Sequence, residues 1–190
     1  MKKIFYLFVL LLPRICVSQD NTLLLKSTVF NKCINDADLV IEGRVLSATG
    51  YRISTGQIYT SVIVKITKLF KGSITDSVVE LVYYGGVSDS FAVFSSGGFS
   101  LSKGMEGIFA MQDNKTVSKL TKGPASYFEP ILYVKYIDKK YRGPGNHPAF
   151  WKGLTFDNLE KDLFEPIEAI TKTPRKVLGL NMFEQDKNKR

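Results

Sequence analysis

The sequence predicts a mainly β protein in which a small closed barrel of five strands is followed by a helix. Three observations predict this class. Apolar and polar residues alternate along several runs between Asp38 and Gln112, glycine-containing turns separate the runs, and an apolar stripe with helical spacing follows residue 157. An open β-sandwich is the alternative. We favour the barrel because a chain without an internal disulfide must protect its strand edges by other means.

The first two strands show the clearest alternation. The first has an apolar face formed by Leu39, Ile41 and Val45, and its polar face carries Asp38, Glu42 and Arg44, which we expect to be surface charge. Gly43 within this strand indicates a β-bulge. After a turn-rich stretch at 47–56, the second strand runs from Ile58 to Phe70. Its core face is predicted to hold Val62, Val64 and Ile66, and its outward face Ser61, Lys65 and Thr67.

Shorter strands follow, separated by glycine and serine. A third strand is predicted at Val78–Tyr84, with Val79, Leu81 and Tyr83 on one face. Residues 88–98 predict a loop. Further strands are predicted at Phe99–Leu101, at Gly107–Met111, which is apolar on both faces, and at Tyr127–Tyr136.

The last part of the sequence predicts a loop and then a helix. The segment Tyr141–Pro148 contains too many glycine and proline residues for regular structure. In the helix, Asp157 and Glu160 have the spacing of a capping box, and Pro166 is expected to kink or divide it. Its apolar stripe is expected to pack on the strands and consists of Leu159, Leu163, Ile167 and Ile170.

The start of the sequence predicts a cleavable secretory signal peptide. Lys2 and Lys3 precede the apolar run Ile4–Leu12, and small residues end at Ser18. The run is about half of the roughly 20 residues that a membrane-spanning helix needs. We therefore predict a signal peptide at 1–18, a β-barrel module at 19–150, a C-terminal helical appendage at 151–180 and a basic tail or linker at 181–190.

The mature chain would be moderately basic and would contain one cysteine. The formal net charge of +8 falls to +5, since residues 1–18 contain three basic residues and no acidic residue. Such a charge favours acidic surfaces only slightly. Cys33 has no intramolecular partner after cleavage, so stability must come from packing. We expect Cys33 to be a small buried apolar residue, and an intermolecular bridge is the alternative.

Two segments carry a resemblance to known secreted modules. The runs Cys33–Val45 and Ile58–Gly72 resemble the opening strands of netrin-like domains and of tissue inhibitors of metalloproteinases. This resemblance covers residues 33–112 and implies an OB-like barrel. Those inhibitors have a cysteine at the mature N-terminus, whose backbone groups chelate the target zinc. This chain should begin near Gln19, so the resemblance does not extend to protease inhibition.

A closer resemblance covers more of the chain. The N-terminal modules of large bacterial proteins exported by the type IX route have a similar signal peptide and barrel. In these modules an aromatic segment and a helix follow, which Tyr127–Pro130 and Phe164–Thr173 resemble. Adhesive repeats or a metalloprotease domain often lie downstream in such proteins. The resemblance implies a bacterial, exported protein of which residues 1–190 form an N-terminal piece.

The residue types argue against catalysis. His147 is the single histidine of the sequence, which excludes a two-histidine zinc motif within one chain. No Gly-x-Ser-x-Gly motif is present. The nearest acidic cluster, formed by Asp36, Asp38 and Glu42, is predicted to be ordinary surface charge. We therefore predict no enzymatic activity, no metal and no cofactor.

The candidate ligand-binding residues are aromatic and basic. Rings interleaved with cations suit stacking on sugars or bases. The alternative is that Tyr133 and Tyr136 pack in the core while the lysines solvate an edge strand. The candidate residues are Tyr133, Lys135, Tyr136, Lys139, Lys140, Tyr141 and Arg142.

These observations predict a secreted or cell-surface, non-enzymatic binding module of a larger extracellular protein. The alternatives are an accessory or pro-domain of a secreted hydrolase, such as a metalloprotease, and a free-standing protease inhibitor. The expected partner is an extracellular carbohydrate or another surface protein, and not nucleic acid. Contact with a membrane is expected only through the signal peptide during export.

Overall fold

The computed structural model describes residues 28–94, 99–113, 127–137, 140–142, 155–156, 158–181 and 184–185. The predicted signal peptide, the start of the mature chain and His147 lie outside these ranges. In the described part of the chain, no helix is long and apolar enough to cross a membrane.

The protein is mainly β with antiparallel sheets, as the sequence predicts. Strands form where β-branched and aromatic residues alternate with polar ones. The described strands are β1 (Leu39–Arg52), β2 (Ile58–Lys71), β3 (Val78–Tyr84), β4 (Gly86–Ser88), β5 (Phe91–Val93), β6 (Glu106–Asp113), β7 (Tyr127–Ile137), β8 (Lys140–Arg142), β9 (Thr155–Phe156) and β10 (Lys176–Val177).

Strands β1 and β2 form a long antiparallel hairpin. Their pairing runs from Val40 opposite Lys71 to Arg52 opposite Ile58, so the connecting turn is shorter than the predicted 47–56. The register shifts between Glu42 and Gly43, which confirms the bulge predicted at this glycine. A Cβ atom on Gly43 would lie 2.5 Å from Val64 Cγ1, so the two strands could not approach each other this closely with a larger residue.

Five strands are linked by continuous pairing. β1 pairs with β2 and with β6, and β2 also pairs with β3. β7 pairs antiparallel with β6 and parallel with the middle of β3, through Glu80 opposite Tyr127 and Leu81 opposite Phe128. Each of these five strands therefore has two neighbours among the five. β8, β9 and β10 extend the sheet, and β4 and β5 form a separate two-stranded sheet.

The apolar residues form two clusters on opposite faces of these strands. The first, which we call the strand cluster, confirms the predicted core faces of β2 and β3, because it contains Val62, Val64 and Ile66 with Val79, Leu81 and Tyr83. The second, the helix cluster, joins Val40, Phe70, Ile108 and Val134 to the helices. The short strand β6 contributes to both clusters, as predicted from its two apolar faces.

A helix precedes β1, contrary to the prediction that the strand motif starts at Cys33. Helix α1 spans Thr28–Asp36. Phe30 and Ile34 are spaced four residues apart, are fully buried in the helix cluster and explain the helical conformation. Cys33 packs against the same cluster but is half-buried, not fully buried as predicted.

The predicted C-terminal helix is present and is divided near Pro166. A π-helical turn at Glu160–Phe164 leads into α2 (Glu165–Thr171), and Pro166 lies in the first turn of α2, where its missing N–H is tolerated. Leu163 and Ile167 are buried in the helix cluster, while Leu159 and Ile170 pack against it, which confirms the predicted stripe. The cap lies at Asn158, whose Oδ1 accepts a hydrogen bond from the Lys161 amide at 3.2 Å, while Asp157 lies outside the described residues.

Two loop predictions and one strand prediction need correction. The loop predicted at 88–98 instead begins with a hairpin. In this hairpin, β4 and β5 pair through Val87 and Ala92 across a turn at Asp89 and Ser90. Residues 99–101 do not form a strand. Tyr141 and Arg142, predicted as loop, belong to β8, whose pairing with β7 and β9 outweighs the glycine and proline residues that follow.

Two expectations about exposure were also wrong. Glu42 is fully buried and Thr67 is 6 % exposed, although both were predicted to face outward. The physical reason is a strap of chain (residues 176–181 with 184 and 185) that follows α2 and lies along β2. Its strand β10 pairs with Leu69 and Lys68, and the amides of Leu178 and Gly179 donate to the Thr67 carbonyl at 2.8 and 2.9 Å.

Candidate functional site

A cavity lies beside the β4–β5 hairpin. It has a volume of about 490 Å³ and is formed where the end of β1, the start of β2 and the end of β3 meet the hairpin and residues 99–101. This volume is within the range of small-ligand sites. The lining residues are Ala48, Gly50, Thr60, Tyr83, Tyr84, Gly85, Gly86, Val87, Val93, Phe94, Phe99, Ser100 and Leu101.

Glycines allow the hairpin to lie against the long strands. A Cβ atom on Gly50 would overlap the Val87 carbonyl oxygen, and one on Gly86 would overlap Thr60 Oγ1. Gly86 also has a φ of +124°, which other residues rarely adopt. Hydrogen bonds complete this junction, because Thr60 Oγ1 donates to the Gly85 carbonyl at 2.7 Å and the Gly85 amide donates to the Ile58 carbonyl at 2.8 Å.

The far wall of the cavity is held by Tyr83. Its hydroxyl oxygen accepts a hydrogen bond from the Leu101 amide at 3.2 Å, and its ring centroid lies 6.0 Å from that of Phe99. Residues 99–101 thus close one side of the cavity without forming a strand. Because Tyr83 and Leu101 are buried in the strand cluster, this wall is continuous with the protein core.

The rim of the cavity is apolar and exposed. Tyr84 is 47 %, Val87 58 %, Phe91 54 % and Phe94 85 % exposed. Phe91 is the only one of the four that does not line the cavity, and it lies on the same hairpin. None of the lining residues carries a formal charge. The cavity therefore suits an uncharged, largely apolar group, because a charged group would lose water there without gaining a counter-charge.

Further aromatic residues extend this surface across three strands. Tyr51 on β1 stacks with Tyr59 on β2, with ring centroids 6.3 Å apart, and Tyr59 meets Tyr84 on β3 edge-to-face at 5.6 Å. The guanidinium of Arg52 lies 4.7 Å from the centre of the Phe91 ring. One cation, Arg52, and one acidic residue, the exposed Asp89 of the hairpin turn, therefore lie at the edge of this surface.

The structure removes Tyr133 from the predicted ligand-binding residues. Its side chain is 4 % exposed and stacks on Phe109, with ring centroids 4.7 Å apart, while its hydroxyl donates to the Glu106 carbonyl at 3.2 Å. Burial and the neighbouring Glu106 carboxylate both raise the pKa of this phenol. A Cβ atom on Gly107 would lie 2.7 Å from Tyr133 Cε2, so the glycine makes room for the ring. This is the core position that the sequence left open as the alternative.

The other predicted residues remain predictions. Lys135 and Tyr136 lie on β7, while Lys140, Tyr141 and Arg142 form β8, and Tyr136 pairs with Tyr141. Their side chains, and Lys139 as a whole, lie outside the described residues.

A buried charged cluster occupies the junction between the strap and the long hairpin. The Lys68 ammonium lies 2.7 Å from a Glu42 carboxylate oxygen and 2.8 Å from one of Glu184. Glu42 also accepts hydrogen bonds from Thr67 Oγ1 at 2.7 Å and from Asn181 Nδ2 at 2.8 Å. Because every member binds another member, we assign this cluster a structural role. It also shows that the predicted linker begins with residues that are bound to the strands.

Two of the acidic residues considered in the sequence, Asp38 and Glu42, have separate partners in the fold. Asp38 Oδ2 accepts a hydrogen bond from the Asp113 amide at 2.8 Å, and Glu42 belongs to the buried cluster. In the described ranges, no group of three histidine, cysteine or acidic residues could hold a metal ion. Burial raises the pKa of the Cys33 thiol, and the nearby Asp36 acts in the same direction. A raised pKa disfavours the reactive thiolate.

Sequence reasoning missed the cavity because its residues come from five separate segments. The available signal was the alternation of Val87, Phe91 and Val93 around the polar pair Asp89–Ser90, which is typical of a short hairpin. Comparison of the chain with protein-family models, with curated proteins and with solved structures found no match.

Proposed function

We propose that this chain is an exported, non-enzymatic binding module on an OB-like β-barrel, and that it binds another extracellular protein at the uncharged cavity. The cycle of pairings β1–β2–β3–β7–β6–β1 supports the barrel, since every strand in it has a neighbour on both sides. The strand cluster supports it as well, because it gathers side chains from all five strands.

The proposed setting follows from the sequence. We propose that the protein is secreted or attached to the cell surface, and that it serves as the N-terminal module of a larger protein exported by the type IX route. Of the two motif segments Cys33–Val45 and Ile58–Gly72, residues 39–45 lie on β1 and residues 58–71 on β2, and the pairing of these two strands supports the start of such a barrel. The distant likeness to netrin-like domains is proposed for the fold alone.

One observation carries the choice of binding site: a cavity without charged residues is surrounded by four large apolar side chains that are 47 % to 85 % exposed. Contiguous exposed apolar surface is typical of sites where proteins bind other proteins. Aromatic side chains supply much of the binding energy in such sites because they bury large areas with few rotatable bonds.

Blocking the cavity tests this proposal. Ser100 is exposed and lines the cavity, while Ser102 is exposed and does not line it. The full chain and the variants Ser100→Trp and Ser102→Trp would be screened against a random peptide library and an array of neutral oligosaccharides. We expect peptides that bind the wild type and Ser102→Trp, and that bind Ser100→Trp at least about tenfold more weakly. Equal binding to all three proteins would contradict the proposed site.

The contacts among Tyr51, Tyr59 and Tyr84 favour carbohydrate as the second candidate ligand. Adjacent aromatic rings offer flat apolar surfaces on which sugar rings can pack. In that case the oligosaccharide array would give binders, and Tyr84→Ala would weaken them while Phe94→Ala would leave them nearly unchanged. If Phe94→Ala weakened binding more than Tyr84→Ala did, the ligand would bind beside the hairpin, which favours a protein ligand.

A further inference from the structure

The β4–β5 hairpin is an incomplete sheet. β4 and β5 have three residues each and, among the described residues, pair only with one another. The hairpin also exposes Val87, Phe91 and Phe94. An isolated two-stranded hairpin is only marginally stable in water, and a third strand or another packed element is needed to stabilise it.

Among the described residues, β5 has one edge that pairs with no other strand. β4 lies against β1, because the Val87 carbonyl occupies the place that a Cβ atom on Gly50 would take. The turn consists of Asp89 and Ser90, so Ser88 and Phe91 form the closing pair. In a two-residue hairpin the closing pair exchanges backbone hydrogen bonds, and the next residue directs its N–H and C=O away from the partner strand. In β5 that residue is Ala92, which is exposed.

We propose that an extended segment of the partner protein pairs with β5 as a third strand and inserts an uncharged apolar side chain into the cavity. This inference rests on the proposed function and specifies how the same site binds. Strand addition gains affinity from main-chain hydrogen bonds and specificity from pockets for alternate side chains. Ala92 supplies the hydrogen-bonding edge, and Val93 and Phe94 next to it line the pocket.

The charges around the hairpin define the partner segment further. The lining of the cavity is uncharged, which excludes a charged side chain from the pocket. Arg52 lies over the Phe91 ring and the exposed Asp89 lies in the adjacent turn, so both signs of charge are present at this end of β5 and neither sign is favoured in the partner. We expect a partner segment of alternating apolar and uncharged polar residues.

The test begins with selection of peptides of about 12 residues from a random library on the full chain. A selected peptide is then synthesised, and its Kd is measured for the wild type, Ala92→Pro and Ala92→Thr. Proline removes the N–H at the edge, while threonine keeps it and suits a strand. We expect Ala92→Pro to raise Kd by about tenfold or more and Ala92→Thr to change it by less than about twofold.

Modified peptides make the test independent of the stability of the variant. N-methylation at alternate positions of the peptide blocks hydrogen bonds along one edge only. We expect one methylated set to abolish binding to the wild type and the other set to retain it. If both sets bind equally well, or if Ala92→Pro binds as tightly as the wild type, strand addition is overturned.

The remaining outcomes separate this inference from the proposed function. If Ser100→Trp weakens the peptide and Ala92→Pro does not, the cavity binds its ligand without strand pairing, so the proposed function stands and the inference fails. A library without any binder overturns the inference, while the oligosaccharide array still tests the cavity. If the full chain forms a dimer that Ala92→Pro dissociates, the third strand comes from a second copy, and the inference of a different partner protein is wrong.

Discussion

The Lys68 ammonium and the Glu42 carboxylate lie 2.7 Å apart on neighbouring strands, and both side chains are buried. The Phe164 ring centre lies 5.2 Å from the same ammonium, on the side of the helices. This ion pair therefore connects the long hairpin, the helix cluster and the strap that ends the described chain.

We expect Lys68→Met to be strongly destabilising. Glu42 would keep its hydrogen bonds from Thr67 and Asn181, but its buried charge would no longer be neutralised. Breaking a buried ion pair in this way costs about 3 to 5 kcal/mol. Urea unfolding of the wild type, of Lys68→Met and of Lys65→Met measures the effect. Lys65 is exposed three residues earlier on β2, so the control should lose no more than about 0.5 kcal/mol. Equal losses in the two variants would contradict the assigned role.

The carboxyl group of Glu80 should make the free energy of unfolding depend on pH. Burial raises the pKa of its carboxyl group, while the hydrogen bond from Ser61 acts in the opposite direction. Its second oxygen, Oε2, accepts no hydrogen bond in the described part of the chain. The folded state therefore binds the carboxyl proton of Glu80 more tightly than the unfolded state does. This protonation contributes to the free energy of unfolding, and its contribution is fully present below the unfolded pKa of about 4.3. It is lost as the pH rises through the folded pKa.

The test compares wild type with Glu80→Gln between about pH 4 and pH 8 by chemical unfolding. We expect the wild type to lose stability relative to the variant as the pH rises, because glutamine does not ionise. Asp76→Asn serves as the control at an exposed acidic position and should follow the wild type. A constant difference between wild type and Glu80→Gln across this range would show that the carboxyl does not titrate between the two states.

Substitutions at Gly86 and Gly104 separate the energetic cost of a positive φ from the cost of steric overlap with a neighbouring strand. Both have positive φ, of +124° and +89°, but a Cβ atom on Gly86 would overlap Thr60 Oγ1 whereas one on Gly104 meets nothing within 4 Å. We expect Gly104→Ala to cost about 1 kcal/mol and Gly86→Ala about 3 kcal/mol. Thermal unfolding of the two variants measures this difference. Similar costs would mean that the hairpin can move away from β2 without loss.

The predicted signal peptide has a direct readout. The short apolar run and the small Ser18 predict a mature chain that begins at or near Gln19. Intact-mass analysis of exported protein should therefore give a mass without residues 1–18. Exported protein that retains Met1, or that carries lipid on Cys16, would contradict the prediction.

The alternation of side chains predicted the strands well, because a period of two depends only on which face meets the core. Val62, Val64 and Ile66 illustrate this success. Alternation could not reveal that a distant strap covers the opposite face, so Thr67 and Glu42 were assigned to the surface. The helical start at Thr28–Asp36 was missed because its two buried residues, Phe30 and Ile34, precede a run with stronger β character.

The candidate site was less predictable than the fold. Tyr133 shares its sequence neighbourhood with cations, yet its ring is directed by β7 toward Phe109 and the core. The cavity depends on close approaches at Gly50 and Gly86, and a single sequence does not show which glycines serve packing and which serve turns.

The bond between Asn181 and Glu42 joins residues 139 positions apart in the chain. During synthesis from the N-terminus, Glu42 and Lys68 are therefore made long before Asn181 and Glu184, which bind them. Contacts of such large sequence separation form slowly, because a long loop must close first. The contact between Glu42 and the strap therefore forms after the pairing of β1 with β2, which closes a much shorter loop.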